Sequence, residues 1–337
     1  MKIKAFASYK PKEKLKEYVY EKKLRQHDVL IKIKYASIAR GDICFIDDFW
    51  NSTKYPYIPS SEAFGIIEKL GTKVKDFKVG DYVGFGYQSS ACFKCKHCKE
   101  GKEQFCQKQK VLGIDDNGAL AEHIIFDSRL VHKIPKQLQK PQYVPLMCSG
   151  LTVFSAIKHY QIKPKMKVGV IGVGNLGHLA IQILNKMNCE VTAFSHSTSK
   201  KADLEKLGVK LFISSINKKQ LEKEKGKYDF IISTSSGPLD WSLFIEALKA
   251  EGTLCFVGLP EKAISFPAIL LADYTRKRVV GSYIGSSHDM EHLINFAEKH
   301  KITALVETFP KEKANEAIQL RRQKKTTYSV VINLMEK

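Results

Sequence analysis

The run Val168-Gly169-Val170-Ile171-Gly172-Val173-Gly174-Asn175-Leu176-Gly177-His178 constrains the fold more than any other part of the chain. A short apolar segment meets Gly-x-Gly-x-x-Gly, and a helical pattern follows from Leu176 to Met187, so a buried strand has to turn abruptly into a helix. In such a turn Gly172 permits the tight bend, Gly174 lets backbone approach a pyrophosphate, and Gly177 lets the helix pack closely on the strand. Asn175 and Leu176 open the helix, whose first N–H groups and positive dipole end favour phosphate oxygens. Strands are expected at Lys167 to Gly172, Glu190 to Ser195, Phe230 to Ser233 and Thr253 to Gly258, with helical stretches between them such as Leu239 to Ala250. Strands alternating with helices at this spacing predict an α/β unit with a doubly wound parallel sheet over residues 148–284.

The second strand ends about 18 residues after the glycine motif, in Ser195-His196-Ser197-Thr198-Ser199-Lys200-Lys201. A site for NAD(H) places a carboxylate there to accept hydrogen bonds from the ribose hydroxyls, and that carboxylate repels a 2′-phosphate. Here Ser195 and Ser197 offer hydroxyls and Lys200 an ammonium, which points to NADP(H). The alternative is an ordinary polar surface loop, since Ser and Lys are common in loops.

The remainder has a different texture. Residues 1–147 alternate with a period near two, cut into short pieces by Gly and Pro, and predict an irregular β domain to which residues 285–337 return. Inside it, in a lobe over about residues 90–108, Cys92, Cys95, Cys98 and Cys106 follow C-x2-C-x2-C-x7-C. Four thiolates close tetrahedrally around one Zn2+ per chain and leave no open position, so this metal is structural; an iron–sulfur cluster is the other reading of the same ligands. His97 lies within the loop, but four sulfurs already satisfy zinc. The other four cysteines, Cys44, Cys148, Cys189 and Cys255, are scattered, which suits a reducing compartment.

A net charge of +20 raises the possibility of nucleic acid or a membrane surface. The excess is mostly Lys spread along the whole length, without the Arg and aromatic interleaving of single-strand readers, so a solvated lysine coat is expected and neither nucleic acid nor membrane is a partner. No apolar run reaches the length of a membrane span, and Met1-Lys2-Ile3-Lys4-Ala5-Phe6 lacks the apolar core of a signal peptide; a cytoplasmic location is expected.

With both motifs placed, the chain resembles the zinc-containing medium-chain dehydrogenase/reductases, most nearly their cinnamyl-alcohol-dehydrogenase-like branch. The supporting stretches are Lys73 to Asp81, the cysteine lobe, Pro145-Leu146-Met147-Cys148-Ser149-Gly150-Leu151-Thr152-Val153, the Gly172 turn, Val257 to Glu261 and Gly281 to Gly285. The resemblance implies a GroES-like catalytic domain, a Rossmann domain with Thr152 among its cofactor residues, a homodimer, and NADP(H)-linked interconversion of aldehydes and alcohols at a second, catalytic zinc.

The sequence departs from the family at that zinc. Ala39-Arg40-Gly41-Asp42 stands where the family has Cys-His-(Ser or Thr)-Asp, and Ser60-Ser61-Glu62 where it has Gly-His-Glu. Of the family's Cys, His and Cys ligands only Cys148 remains, with Glu62 beside it, whereas a catalytic zinc needs three protein ligands. The expectation is that no catalytic zinc binds, and that aldehydes or the polarised C=C bond of an enone are reduced without one. Arg40 is then either a fixed positive charge for the developing alkoxide or a surface or cleft-lining side chain. Asp42 serves a helix cap or the chemistry, and Cys148 is a buried remnant or a nucleophile. Phe49 and Trp50 line a substrate pocket or fill a core. Two rival readings are a zinc enzyme with replacement ligands and an NADP(H)-binding regulatory protein without turnover.

Overall fold

The computed structural model describes residues 1–326 and 328–335. The chain divides into two compact units, one of residues 1–151 with 286–337 and the other of residues 152–285.

In the second unit six parallel strands stand in the spatial order Leu211–Ser214, Glu190–Ser195, Lys167–Ile171, Tyr228–Ser233, Leu248–Phe256 and Arg278–Gly281. The chain starts in the middle, winds outward to one side, then returns and winds outward to the other. Ligands in such sheets bind beyond the carboxyl ends of the strands, where the winding reverses. Lys167–Ile171 lies at that reversal, and Val168, Val170 and Ile171 are fully buried, as a strand covered on both faces requires. The Asn175–Lys186 helix buries Leu179, Ala180, Ile183 and Leu184.

The helix expected over Leu239 to Ala250 is shorter, Trp241–Ala247, and the strand begins already at Leu248. Asp240 caps its start by accepting from Ser242 N at 3.2 Å. Leu248 leaves helical geometry (ψ 141°) to pair with Tyr228, and Glu251 takes a left-handed turn (φ 59°). Pairing of the buried Leu248 in the sheet overrides its helical pattern.

The first unit is built on Asp28–Ile38, which pairs antiparallel with Ala63–Leu70, His123–Asp127 and Ser329–Asn333. Two register shifts against Ala63–Leu70 accompany a strand that buries residues on both faces, including Ile31, Ile33, Ala36 and Ile38. The Arg40–Ile46 helix follows at once. Its far end is fixed by a bidentate ion pair, Arg322 Nε and Nη2 to the Asp47 carboxylate at 2.6–3.1 Å, from the Ala314–Arg322 helix. Among the described residues no helix is long and apolar enough to cross a membrane.

Candidate active site and metal centre

At the end of Lys167–Ile171 the backbone of Gly172 is left-handed, with φ +80°, a conformation open to glycine at no steric cost. Thr234 fixes the bend by donating its hydroxyl to the carbonyls of Ile171 (3.1 Å) and Gly172 (2.8 Å). A Cβ on Gly177 would lie 1.9 Å from Gly172 O, so only glycine lets the helix seat this closely. Gly174 is the helix N-cap residue and differs from both. A Cβ there would meet nothing within 4 Å, so the turn presents bare backbone to open space, beside the first N–H groups of a 12-residue helix. That is the cradle a diphosphate requires.

Gly172 N donates to Phe194 O at 2.9 Å, which brings the end of Glu190–Ser195 alongside the turn. Ser195 Oγ donates to Ser197 O (3.2 Å) and accepts from Ser197 N (3.3 Å), and Ser197 Oγ lies 2.7 Å from Ser199 Oγ. These hydroxyls shape a compact turn of their own. Lys200 then reaches back, its ammonium donating to Val173 O at 3.2 Å inside the glycine turn. Gly172, Gly174, Asn175, Leu176, Gly177, Ser195, Ser197 and Lys200 therefore share one end of the sheet, while Thr152 lies buried on the Ser149–His159 helix. The serines and lysines were readable in sequence; the tether from Lys200 to the glycine turn was not.

In the first unit the four cysteine sulfurs lie within 4.8 Å of one another. Cys95 and Cys98 are separated by 3.5 Å and Cys92 and Cys98 by 3.9 Å. A tetrahedron with Zn–S bonds of about 2.3 Å has sulfur–sulfur edges of about 3.8 Å, so the set fits Zn2+. Cys106 accepts from Cys92 N at 3.4 Å and Cys92 from Cys95 N at 3.3 Å, orienting the sulfurs from outside. Backbone N–H groups lower Cys92 to about 6, whereas burial and neighbouring thiols push Cys98 up to about 12; sulfurs this crowded hold charge together only around a cation. His97 is exposed beside them.

The remaining candidates of this unit gather around Glu62, which is fully buried. Its Oε2 accepts from Cys148 N and Ser149 N, both at 3.0 Å, and its Oε1 accepts from Ser149 Oγ at 3.3 Å. Burial nevertheless raises this carboxyl to about 7. The Cys148 thiol is held far above its ordinary range, by burial first and then by the Glu62 charge, and Ser61 Oγ lies 3.9 Å from its sulfur. Asp42 accepts from Ala39 N and Ser60 N, each at 2.7 Å, and burial raises it to about 6. Its carboxylate caps the Arg40–Ile46 helix and ties it to the segment before Glu62. Arg40 opens that helix and is exposed. Sequence reasoning missed Arg321: it donates to Tyr328 O and Thr326 Oγ1, and its pKa is lowered by burial and then by the charge of Arg40. Phe49 and Trp50 are exposed and pack edge to face, so neither is a core residue.

Residues 25–136 match the alcohol dehydrogenase GroES-like domain family, and residues 175–299 the zinc-binding dehydrogenase family. An aldehyde reductase of Synechocystis is 33% identical over 98% of both chains. The chain belongs to the medium-chain alcohol dehydrogenases, in their cinnamyl-alcohol-dehydrogenase-like branch. It is thus an oxidoreductase of the alcohol and aldehyde dehydrogenase kind, with a GroES-like unit and a Rossmann unit. Two solved structures resemble this dehydrogenase over nearly its whole length. A cinnamyl alcohol dehydrogenase from Sorghum bicolor superposes with a TM-score of 0.95 at 28% identity, covering 100% of both chains. One from Helicobacter pylori, complexed with NADP(H), gives 0.91 at 31% identity, covering 99% of this chain and 98% of that one. Among the described residues of this family member, the four cysteines are the one group of three or more His, Cys, Asp or Glu whose ligand atoms converge on a metal position.

Proposed function

We propose that this dehydrogenase is an NADP(H)-dependent reductase of aldehydes or polarised C=C bonds that works without a catalytic zinc. The observation that carries the cofactor reading is Lys200, whose ammonium reaches the glycine turn at 3.2 Å, next to a strand end with serines in place of a carboxylate. The similar Helicobacter pylori enzyme, complexed with NADP(H), supports the same choice.

The residues around Cys148 do not fit a three-ligand zinc site. Ala39 and Ser61 stand where the family has a cysteine and a histidine, and the oxygens of Glu62 and Asp42 are engaged with backbone N–H groups and a serine hydroxyl. The lobe of Cys92, Cys95, Cys98 and Cys106 holds one structural Zn2+ instead. Bound NADPH supplies the hydride. The chain's own task is then to stabilise the oxygen that gains negative charge, an alkoxide from an aldehyde or an enolate from an enone. Arg40 offers a permanent guanidinium, in a positive field that Arg321 reinforces. Asp42 positions Arg40 by capping its helix; Glu62 clamps Cys148 and Ser149 to the end of the neighbouring strand. Catalysis by Cys148 as a nucleophile is not part of this reading.

The enzyme acts on small-molecule substrates as a cytoplasmic homodimer, paired along Arg278–Gly281, the edge strand of its parallel sheet. The exposed apolar side chains of Ile269 and Tyr274, which precede that strand in the chain, and of Tyr283, which follows it, support the pairing. Metal analysis with NADPH turnover on aldehydes and enones tests the proposal, with one zinc per chain and turnover expected. About two zinc ions per chain with activity abolished by a chelator would establish the zinc enzyme instead, and NADPH binding without turnover on any substrate a regulatory protein.

A further inference from the structure

The Ser287–His300 helix carries His288-Asp289-Met290-Glu291-His292 across its first turn and into its second, in a part of the first unit that the reductase reading leaves unused. We propose that His288 and His292, with Glu291 beside them, form a second metal site for a divalent transition ion such as Zn2+, Ni2+ or Cu2+.

Helix geometry makes the pair. Residues four apart are neighbours on a helix surface, with Cβ atoms about 5–6 Å apart, so two imidazoles can turn one nitrogen each toward a common ion at about 2.0–2.1 Å. The rings already lie side by side, with centroids 4.2 Å apart and planes inclined by 58°. Glu291 places a carboxylate oxygen 3.8 Å from His288 Nδ1, on the same face. It can hold the His288 imidazole in the tautomer that leaves its other nitrogen bare for the ion. Imidazole suits zinc, nickel and copper, whereas oxygen-seeking Mg2+ and Ca2+ find one carboxylate here.

The face is fixed in place and open to solvent. Met290, Leu293, Ile294 and Ala297 are buried on the opposite side, so the helix cannot rotate the histidines inward. Ser286 and Asp289 close a reciprocal capping box at its start, Ser286 Oγ accepting from Asp289 N at 3.1 Å and Asp289 Oδ2 from Ser286 N at 3.1 Å. Ser287 N donates to Glu103, in the cysteine lobe. His288, Glu291 and His292 are all exposed. Two histidines and a glutamate in the order His-x-x-Glu-His also occur on helices of zinc peptidases. Those sites need a substrate cleft; this one has an open helix face, so the assignment is to metal binding and to no reaction.

The test is calorimetric titration of Ni2+ into protein whose cysteine lobe is already filled with zinc, a measurement independent of turnover. One further ion per chain is expected. His288→Ala and His292→Ala should each weaken its binding by more than ~10-fold, and Glu291→Gln, which removes only the partner that orients an imidazole, by about 10-fold. Ni2+ should raise the unfolding temperature of the wild type and leave that of H288A/H292A unchanged. These exposed substitutions should not alter the unfolding temperature without nickel. Binding as tight in the double variant as in the wild type, or no ion beyond the lobe, overturns the site.

Discussion

Gly174 and Gly177 sit three residues apart in one motif, yet their surroundings predict opposite failures when each becomes alanine. At Gly177 the new Cβ falls 1.9 Å from Gly172 O, 2.9 Å from Gly172 C and 3.2 Å from Thr234 Oγ1. Ordinary carbon–oxygen contact begins at about 3.3 Å, so the helix has to withdraw by more than about 1 Å from the strand end. Overpacking of this sort costs about 1–3 kcal/mol, partly offset by the 0.4–1 kcal/mol, roughly, that alanine gains by restricting the unfolded chain. At about 2–4 °C per kcal/mol, Gly177→Ala should lower the unfolding temperature by several degrees. At Gly174 the methyl meets no protein atom within 4 Å, and the stability of ligand-free Gly174→Ala should stay within about 1 kcal/mol of wild type, its unfolding temperature within about 2–4 °C. Its methyl instead occupies the approach to the helix N-terminus. Losing one hydrogen bond to a charged phosphate costs about 1.5–3 kcal/mol, so NADPH should bind roughly 10- to 100-fold more weakly. Differential scanning calorimetry without cofactor and fluorescence titration with NADPH separate the two effects. Wild-type NADPH affinity in Gly174→Ala, or an unchanged unfolding temperature in Gly177→Ala, refutes the assignment of one glycine to the ligand and the other to the fold.

Other expectations follow from the same geometry. Ser195→Asp places a carboxylate beside the position of the 2′-phosphate; NADPH affinity should fall at least ~10-fold, about 1.4 kcal/mol, and NADH affinity should not. Tighter NADH than NADPH binding in the wild type would contradict the phosphate reading. Arg40→Ala should lower kcat about 100-fold with little change in KM for the carbonyl substrate, and Arg40→Lys should recover part of it; an alanine variant with wild-type kcat removes Arg40 from the chemistry. Asp42 is raised from 3.8 to about 6 by burial, so its protonated form favours the fold. That contribution is complete below about pH 4 and is lost as pH rises through about 6, a change of about 3 kcal/mol. Urea unfolding from pH 4 to 7 should show wild-type stability falling relative to Asp42→Asn by this amount, and parallel curves would show that Asp42 ionises normally.

The parts of this dehydrogenase that rest on local chemistry were legible in its sequence. Gly172 needs a left-handed backbone, the cysteines of residues 92–106 need only short loops to converge, and the apolar run before Gly172 can only be a buried strand. What escaped depends on partners distant in sequence or on backbone atoms. Leu248 ends its helix because Tyr228 offers a strand to pair with, and no helical period announces that. Asp42 read as a helix cap or a group in the chemistry and Glu62 as a neighbour of the lost zinc site, and the backbone N–H groups that hold both are invisible in side-chain identities. Arg321 comes to Arg40 across nearly the whole chain, from a helix whose own pattern shows only an amphipathic surface. The His288–His292 spacing, by contrast, is visible in the sequence itself, because residues four apart share a face on any helix.

The loop that carries Ser195, Ser197 and Lys200 is folded largely on itself, joined to the glycine turn by the bond from Phe194 and the reach of one lysine. Preference between the two nicotinamide coenzymes is therefore modular in this enzyme. Exchanging a few loop side chains can retune which coenzyme is used while the sheet and its first crossover helix stay as they are, a freedom that redesign at Gly172 or Gly177 would forfeit.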